Sequence, residues 1–176
     1  MPLQDYSIPA CAAVAALDRN KVDHVITVPD WVQLSLHGLL GAGVDGIRVI
    51  ACANENQTVT VAAGLTIGGK RPILMMQNQG LYNCIKTVRE ICLDANFTHL
   101  LFNMFMLYEY SNFGRPATES RRSMVRIMEP LLTSIGVPFH CLDNAADLVH
   151  MDTAYEQAER ERTAVVLLVS APMAWN

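Results

Sequence analysis

Arg48-Val-Ile-Ala-Cys-Ala53, Asn54-Glu-Asn-Gln57, Thr58-Val-Thr-Val-Ala-Ala-Gly-Leu-Thr-Ile67 and Gly68-Gly-Lys-Arg-Pro72 follow one another without a break, and Ile73-Leu-Met-Met-Gln77 comes next. The first and last of these segments are apolar runs of strand length with no polar alternation, as expected of strands buried on both faces. Between them, Asn54 with Gln57 three residues on fits a loosened capping box, in which a side-chain oxygen satisfies an orphan amide and the glutamine reaches back. The stretch from 58 to 67 has helix length, and Gly68-Gly69 stands where a helix stops. The whole is one strand, helix, strand unit.

Similar apolar runs recur along the chain at His24-Val-Ile-Thr-Val28, Thr98-His-Leu-Leu-Phe-Asn103, Phe139-His-Cys-Leu142 and Ala164-Val-Val-Leu-Leu-Val169. Strands spaced by helix-length segments call for crossover helices and a parallel sheet. The expected fold is α/β, a doubly wound, mostly parallel six-stranded sheet with helices on both faces. Other helix boundaries are also marked. Asp30-Trp-Val-Gln33 fits a second loosened capping box, and Asn144 or Asp143 can cap a last helix that runs to about Arg162 with a break near His150. Gly41, Gly43 and Gly136 mark helix ends, and Pro130 should kink or restart the helix between Arg121 and Ile135.

The 176 residues fit a single domain, 1–176, long enough to bury a substantial core. Half of them are hydrophobic, only 17% are charged, and mean hydropathy is positive. That surplus of apolar residues is expected to lie partly at subunit contacts. The longest apolar runs fall short of the roughly 20 residues a membrane helix needs. Cys11-Ala-Ala-Val-Ala-Ala-Leu17 lacks a basic flank and a cleavage signal, so it reads as a short amphipathic helix of a cytoplasmic protein. A net charge of -4 without a basic stripe gives no reason to expect nucleic acid. Cys11, Cys52, Cys84, Cys92 and Cys141 are odd in number, lack a CxxC spacing and read as reduced thiols, with neither disulfides nor structural zinc.

In an open parallel sheet, ligands sit beyond the carboxyl ends of the strands. Three such ends carry polar groups here: Pro29-Asp30, Asn54-Glu55 and Gln77-Asn-Gln-Gly80. A shared crevice is one reading. Capping is the other, because Asp30 is a good N-cap and Glu55 stands where a helix dipole favours negative charge. The segment Leu107 to Glu119 has no regular pattern, and structureless connections of that length often carry function. His24, His99 and His140 belong to strands. His37 lies seven residues beyond Asp30, two helical turns away from the strand edge, and His150 reads as a surface residue.

The string from Ala53 to Asn83, ANENQTVTVAAGLTIGGKRPILMMQNQGLYN, resembles the pyrimidine-binding domain of thiamine-diphosphate-dependent 2-oxo acid decarboxylases. It is most similar to sulfopyruvate and phosphonopyruvate decarboxylases. Val28-Pro-Asp30 and Ser134-Ile-Gly-Val-Pro138 resemble further turns of that family. The resemblance implies that Glu55 is catalytic and hydrogen-bonds a ring nitrogen of the cofactor's aminopyrimidine. It also implies that Asp30 assists protonation near the reacting carbon, and that Gln77, Asn78 and Gly80 help to bind the cofactor. Two residues depart from the family pattern: Gln79 replaces the common serine and Tyr82 the common glycine, so both are expected to reshape the substrate pocket. The family's Arg-Gly pair after the fourth strand is replaced by Phe105-Met106, which leaves Arg115, Arg121 or Arg122 to clamp an anionic tail, or Tyr108, Tyr110 and Phe113 to line a site for a bulkier acid.

Members of the family bind the diphosphate through magnesium on a Gly-Asp-Gly motif that is missing here, since Gly43-Val-Asp-Gly46 has the wrong spacing. The resemblance therefore implies a partner: a beta subunit carrying the diphosphate domain and the Mg2+, with thiamine diphosphate shared between the two chains, as in two-chain sulfopyruvate decarboxylases. The expected activity is decarboxylation of a 3-substituted 2-oxo acid. Carboligation, or a bulkier 2-oxo acid, is a variant of the same chemistry. A non-catalytic flavodoxin-like assembly or regulatory module is the alternative from a different class.

Overall fold

A computed structural model describes residues 7–30, 33–95 and 115–175. The expected strand at 98–103 and most of the 107–119 segment lie outside them. In order, the described elements are β1 (Ile8–Pro9), α1 (Ala10–Arg19), β2 (His24–Thr27), α2 (Leu34–Ala42), β3 (Arg48–Ala51), α3 (Glu55–Ile67), β4 (Pro72–Met75) and α4 (Asn78–Val88). After these come α5 (Ser123–Arg126), α6 (Met128–Ser134), β5 (Phe139–Leu142), α7 (Val149–Glu161), β6 (Val166–Val169) and β7 (Met173–Ala174). A π-helical turn, Arg89–Asp94, extends α4, and 3-10 turns cover Ala117–Glu119 and Ala145–Leu148.

The strands form small parallel sheets. β2 lies between β3 and β4, with Val25 opposite Val49 and Ile73. β5 pairs with β6, and the two-residue β1 and β7 pair with each other. Alternate residues of the strands feed two separate cores, as the period of two in a strand requires. Val25, Ile73, Met75, Leu167 and Val169 pack with buried residues of α1, α2 and α7. Ile26, Leu74, Met76, Val166 and Leu168 pack with those of α3, α4 and α6. Full burial of a side chain such as Ile26 or Leu74 contributes roughly 1.5–3 kcal/mol. The helices meet these cores on stripes of 3.6-residue period: Leu81, Cys84 and Val88 of α4, and Met151, Ala154, Tyr155 and Ala158 of α7.

One strand departs from its apolar composition. Among the described residues β3 ends the β3-β2-β4 ladder with a single neighbour, and Val49 is 40% exposed there. β1 and β7 carry no strand-length apolar run and were not legible as strands. Two of the helix starts agree with their expected caps. Asn54 Oδ1 accepts from Gln57 N at 3.0 Å, while Gln57 Oε1 accepts from Ala53 N rather than from the cap residue. Asn144 and Asp147 form a reciprocal capping box, after which the 3-10 turn passes into α7 at Val149. Pro130 stands in the first turn of α6, where its missing N–H costs nothing, and the chain restarts its helix at Met128. Cys11, Cys52, Cys84 and Cys92 carry free thiols. No helix among the described residues is long and apolar enough to cross a membrane.

Candidate active site

Glu55 is the first residue of α3, directly behind the Asn54 cap and beyond the end of β3. Its charge therefore sits at the positive end of the helix dipole. Gly80, in the first turn of α4, lies against its side chain: a Cβ added at Gly80 would fall 2.3 Å from Glu55 Cγ and 3.0 Å from Oε1. The two motif segments, separated in sequence by α3 and β4, are thus brought into direct contact. Only glycine fits at 80 while Glu55 keeps this position.

Asn83, one helical turn after Gly80, donates from Nδ2 to Glu55 Oε2 at 3.3 Å. Next to it, Asn56 Nδ2 donates to the Asn83 carbonyl and Thr87 Oγ1 donates to Asn56 Oδ1, so a polar seam ties the head of α3 to α4. Beneath the seam lies the Cys84 thiol, pushed up to about 12 first by burial and then by the Glu55 charge. The Asn83 bond is long, and a charged carboxylate with one long partner retains lone pairs for an additional donor. A nitrogen-bearing ring that presents an N–H fits this acceptor.

Asp30 lies three residues past β2 and its carboxyl is 4% exposed. Oδ1 accepts from Gln33 N at 2.9 Å and Oδ2 from Gln33 Nε2 at 3.3 Å, but the N-cap position of α2 falls at Gln33, so the expected helix cap at Asp30 is corrected to a bond within the approach to the helix. The expected position of His37 is corrected. Its Nε2 is 3.6 Å from Asp30 Oδ2 and 3.4 Å from Asp30 N, beside the strand end instead of two turns away. α2 begins at Leu34 and not at Asp30, so His37 belongs to its first turn.

The third strand end is organised around a backbone carbonyl. Asn78 Nδ2 donates to Met124 O at 2.8 Å and Tyr82 Oη to the same oxygen at 2.9 Å. Gln79 Nε2 donates to Met124 Sδ at 3.3 Å. Burial raises the Tyr82 phenol, which keeps it a donor. The two residues that depart from the family pattern, Gln79 and Tyr82, are therefore engaged in holding α5 against the start of α4. Gln77 precedes α4 and its carbonyl accepts from Gly80 N at 2.9 Å. Arg115, Arg121 and Arg122 are exposed.

Asp143 and Ser170 close the ends of β5 and β6, joined by a short hydrogen bond from Ser170 Oγ. His150 is also corrected. It is not a plain surface residue, because its Nδ1 is 2.8 Å from the Cys141 carbonyl and its ring is 5.8 Å from that of His140. Neither Asn83, His37 nor Met124 stood out in the sequence. Asn83 had a usable signal, since it follows Gly80 by one helical turn and shares its face.

A cleft of about 470 Å³ opens at the opposite, amino edge, lined by Arg19, Asn20, Lys21, Arg71, Asp152, Tyr155, Glu156 and Glu159. Its charges are largely spent on one another. Arg19 pairs with Asp152, and Arg71 pairs with Glu159 while lying 4.6 Å over the Tyr155 ring. This edge is a clasp between α1, β4 and α7, and the chemistry-bearing groups lie at the other end of the strands. No protein-family model matches the chain, and no curated protein matches it.

Proposed function

We propose that the chain is the pyrimidine-binding alpha subunit of a two-chain, cytoplasmic, thiamine-diphosphate- and magnesium-dependent decarboxylase of 3-substituted 2-oxo acids such as sulfopyruvate or phosphonopyruvate. The observation that carries this reading is the contact between Glu55 and Gly80, which joins the two halves of the motif at the carboxyl edge. The matching fold is a six-stranded doubly wound sheet, supported by the sharing of both cores between β4 and β6, which do not pair with each other.

When bound, thiamine diphosphate supplies the electron sink for loss of carbon dioxide from the 2-oxo acid. Glu55 would hold the proton of a cofactor ring nitrogen, a bias that a glutamine amide cannot provide. Gln77 and Gly80 bring the α4 backbone up to that carboxylate. Asn78, Gln79 and Tyr82 serve the site by fixing α5, and Arg115 engages the acidic tail of the substrate. Asp30 delivers a proton to the carbon from which carbon dioxide has left. The partner subunit supplies the Gly-Asp-Gly motif and holds Mg2+, and its interface accounts for the apolar surplus of this chain.

Isothermal titration of thiamine diphosphate with magnesium, into the chain alone and into its complex with the diphosphate-binding chain, tests the reading. Binding is expected in the complex, and Glu55→Gln is expected to lose cofactor activation and turnover with the fold intact. If the complex binds no cofactor, or if Glu55→Gln lowers stability only by a capping-sized amount while turnover is normal, the assembly-module alternative replaces it.

A further inference from the structure

The Asp30 carboxyl is 4% exposed and the His37 ring 14%. A single ring nitrogen, Nε2, faces both the Asp30 backbone N–H at 3.4 Å and the Asp30 carboxylate at 3.6 Å. A neutral ring with its proton on Nδ1 can accept from the amide. An imidazolium can offer its Nε2–H to Oδ2 once the gap closes by roughly 0.7 Å to charge-assisted hydrogen-bond length. Gln33 fixes the carboxyl by donating to both of its oxygens, so the ring is the moving part.

Conversion of a 2-oxo acid anion to aldehyde and carbon dioxide consumes one proton per turnover. A carboxyl nearly sealed from water cannot draw that proton directly from solvent at each cycle. The more open imidazole beside it can.

Resting on the decarboxylase reading above, we propose that His37 is the positioning residue that reprotonates Asp30. The neutral Nδ1–H ring swings outward, an acid in solution protonates its Nε2, and on return the Nε2 proton passes to Asp30 Oδ2, which leaves the ring in its Nδ1–H form. The Asp30 O–H bond then breaks as its proton forms the C–H bond on the substrate carbon that has lost carbon dioxide, which leaves the carboxylate for the next cycle.

The test has two arms. In the first, the complex with the diphosphate-binding chain, thiamine diphosphate and magnesium is assayed with sulfopyruvate and phosphonopyruvate. His37→Gln is expected to lower kcat about 10²-fold with KM little changed. Added imidazole should restore part of the kcat of His37→Ala, and Asp30→Asn combined with His37→Gln should be no slower than Asp30→Asn alone. A wild-type complex that releases no carbon dioxide from either acid removes the decarboxylase reading and the relay together. A working wild type with His37→Gln at full kcat, no imidazole response or multiplying losses removes the relay alone.

The second arm is independent of turnover. In the 15N-histidine-labelled full chain, the Nε2 resonance of His37 is expected to move on Asp30→Asn while those of His140 and His150 stay in place. An unmoved His37 Nε2 overturns the proposal whatever the kinetics.

Discussion

Gly80→Ala is the sharpest probe of the motif contact. The added Cβ would stand 2.3 Å from Glu55 Cγ and 3.0 Å from its Cδ, whereas non-bonded carbons rest at about 3.5–4.0 Å. The overlap is roughly 1.2 Å and falls on Cγ, so movement of the carboxyl tip alone cannot relieve it. The Glu55 χ1 angle has to change and the bond from Asn83 is lost. Forced overpacking of this kind costs about 1–3 kcal/mol, while alanine gains up to about 1 kcal/mol over glycine in a helix. Gly80→Ala should therefore destabilise the chain by about 0–2 kcal/mol. In a Glu55→Ala background there is no Cγ to strike, and the same substitution should stabilise by up to about 1 kcal/mol. Urea unfolding of the four chains, followed by circular dichroism at constant m, reads the coupling directly, with about 1–3 kcal/mol expected. Equal effects of Gly80→Ala in both backgrounds, within about 0.5 kcal/mol, would refute the contact and with it the joining of the two motif segments.

Gly64 supplies the contrast, because it is an exposed position of α3 where a Cβ meets nothing within 4 Å, so Gly64→Ala should raise stability by about 0.8–1.0 kcal/mol in urea unfolding. Asn144→Ala removes the acceptor of the Ala146 amide and should cost about 0.5–2 kcal/mol in the same assay. For Asp23, burial raises the carboxyl, but hydrogen bonds from His24 and the Arg71 amide and the nearby charges of His24 and Lys70 outweigh it, leaving the group below its usual range. A depressed carboxyl contributes stability above its unfolded value that is lost as pH falls through its folded value, so Asp23→Asn should destabilise at pH 7 and converge with wild type in acid; a constant difference across that range would count against the account. Burial also raises the Cys84 and Cys92 thiols, so iodoacetamide at pH 8 should label exposed Cys11 first in the native chain and reach those two only on unfolding.

The parts of the fold that were legible are those whose cause is local. Continuous apolar runs became the strands at 24–27, 72–75 and 166–169, where both faces are covered, and the half-buried strand at 139–142, and Asn54 and Asn144 became caps because a side-chain oxygen is the nearest acceptor for an orphan amide. β3 has the same composition yet stays open, because a position at the end of a ladder is a property of the sheet and leaves no mark on the strand itself. The meeting of Glu55 with Gly80 was foreshadowed by the shared sheet edge. The engagement of Asn78, Gln79 and Tyr82 by Met124 was not, since the contact spans more than forty residues and ends on a backbone carbonyl, which carries no sequence signal.

His37 shows how a correct local inference can still misplace a residue. Counted from a helix that starts at Asp30, seven residues at 1.5 Å each put the imidazole about 10 Å up the axis, clear of the strand edge. The hydrogen bond was foreseen, because Asp30 does accept from Gln33 N, although Asp30 does not cap the helix. Yet the helix starts at Leu34, so Asp30 and Gln33 belong to the approach and His37 to the first turn. Helical side chains lean back toward the N-terminus of their helix, and that lean carries the His37 ring down onto Asp30. The same delay in helix entry that defeats counting thus places a titratable ring beside a nearly sealed carboxyl. A substitution that moves the helix start without touching either side chain should separate the two. Leu34→Pro is the control that holds the start in place, because proline is favoured at a first helical position and Leu34 is 54% exposed. It should leave α2 formed and preserve the His37 Nε2 response to Asp30→Asn. Gln33→Gly, which frees the approach and removes the Nε2 donor to Asp30, should weaken that response. If both substitutions leave it unchanged, the pairing owes nothing to where the helix begins.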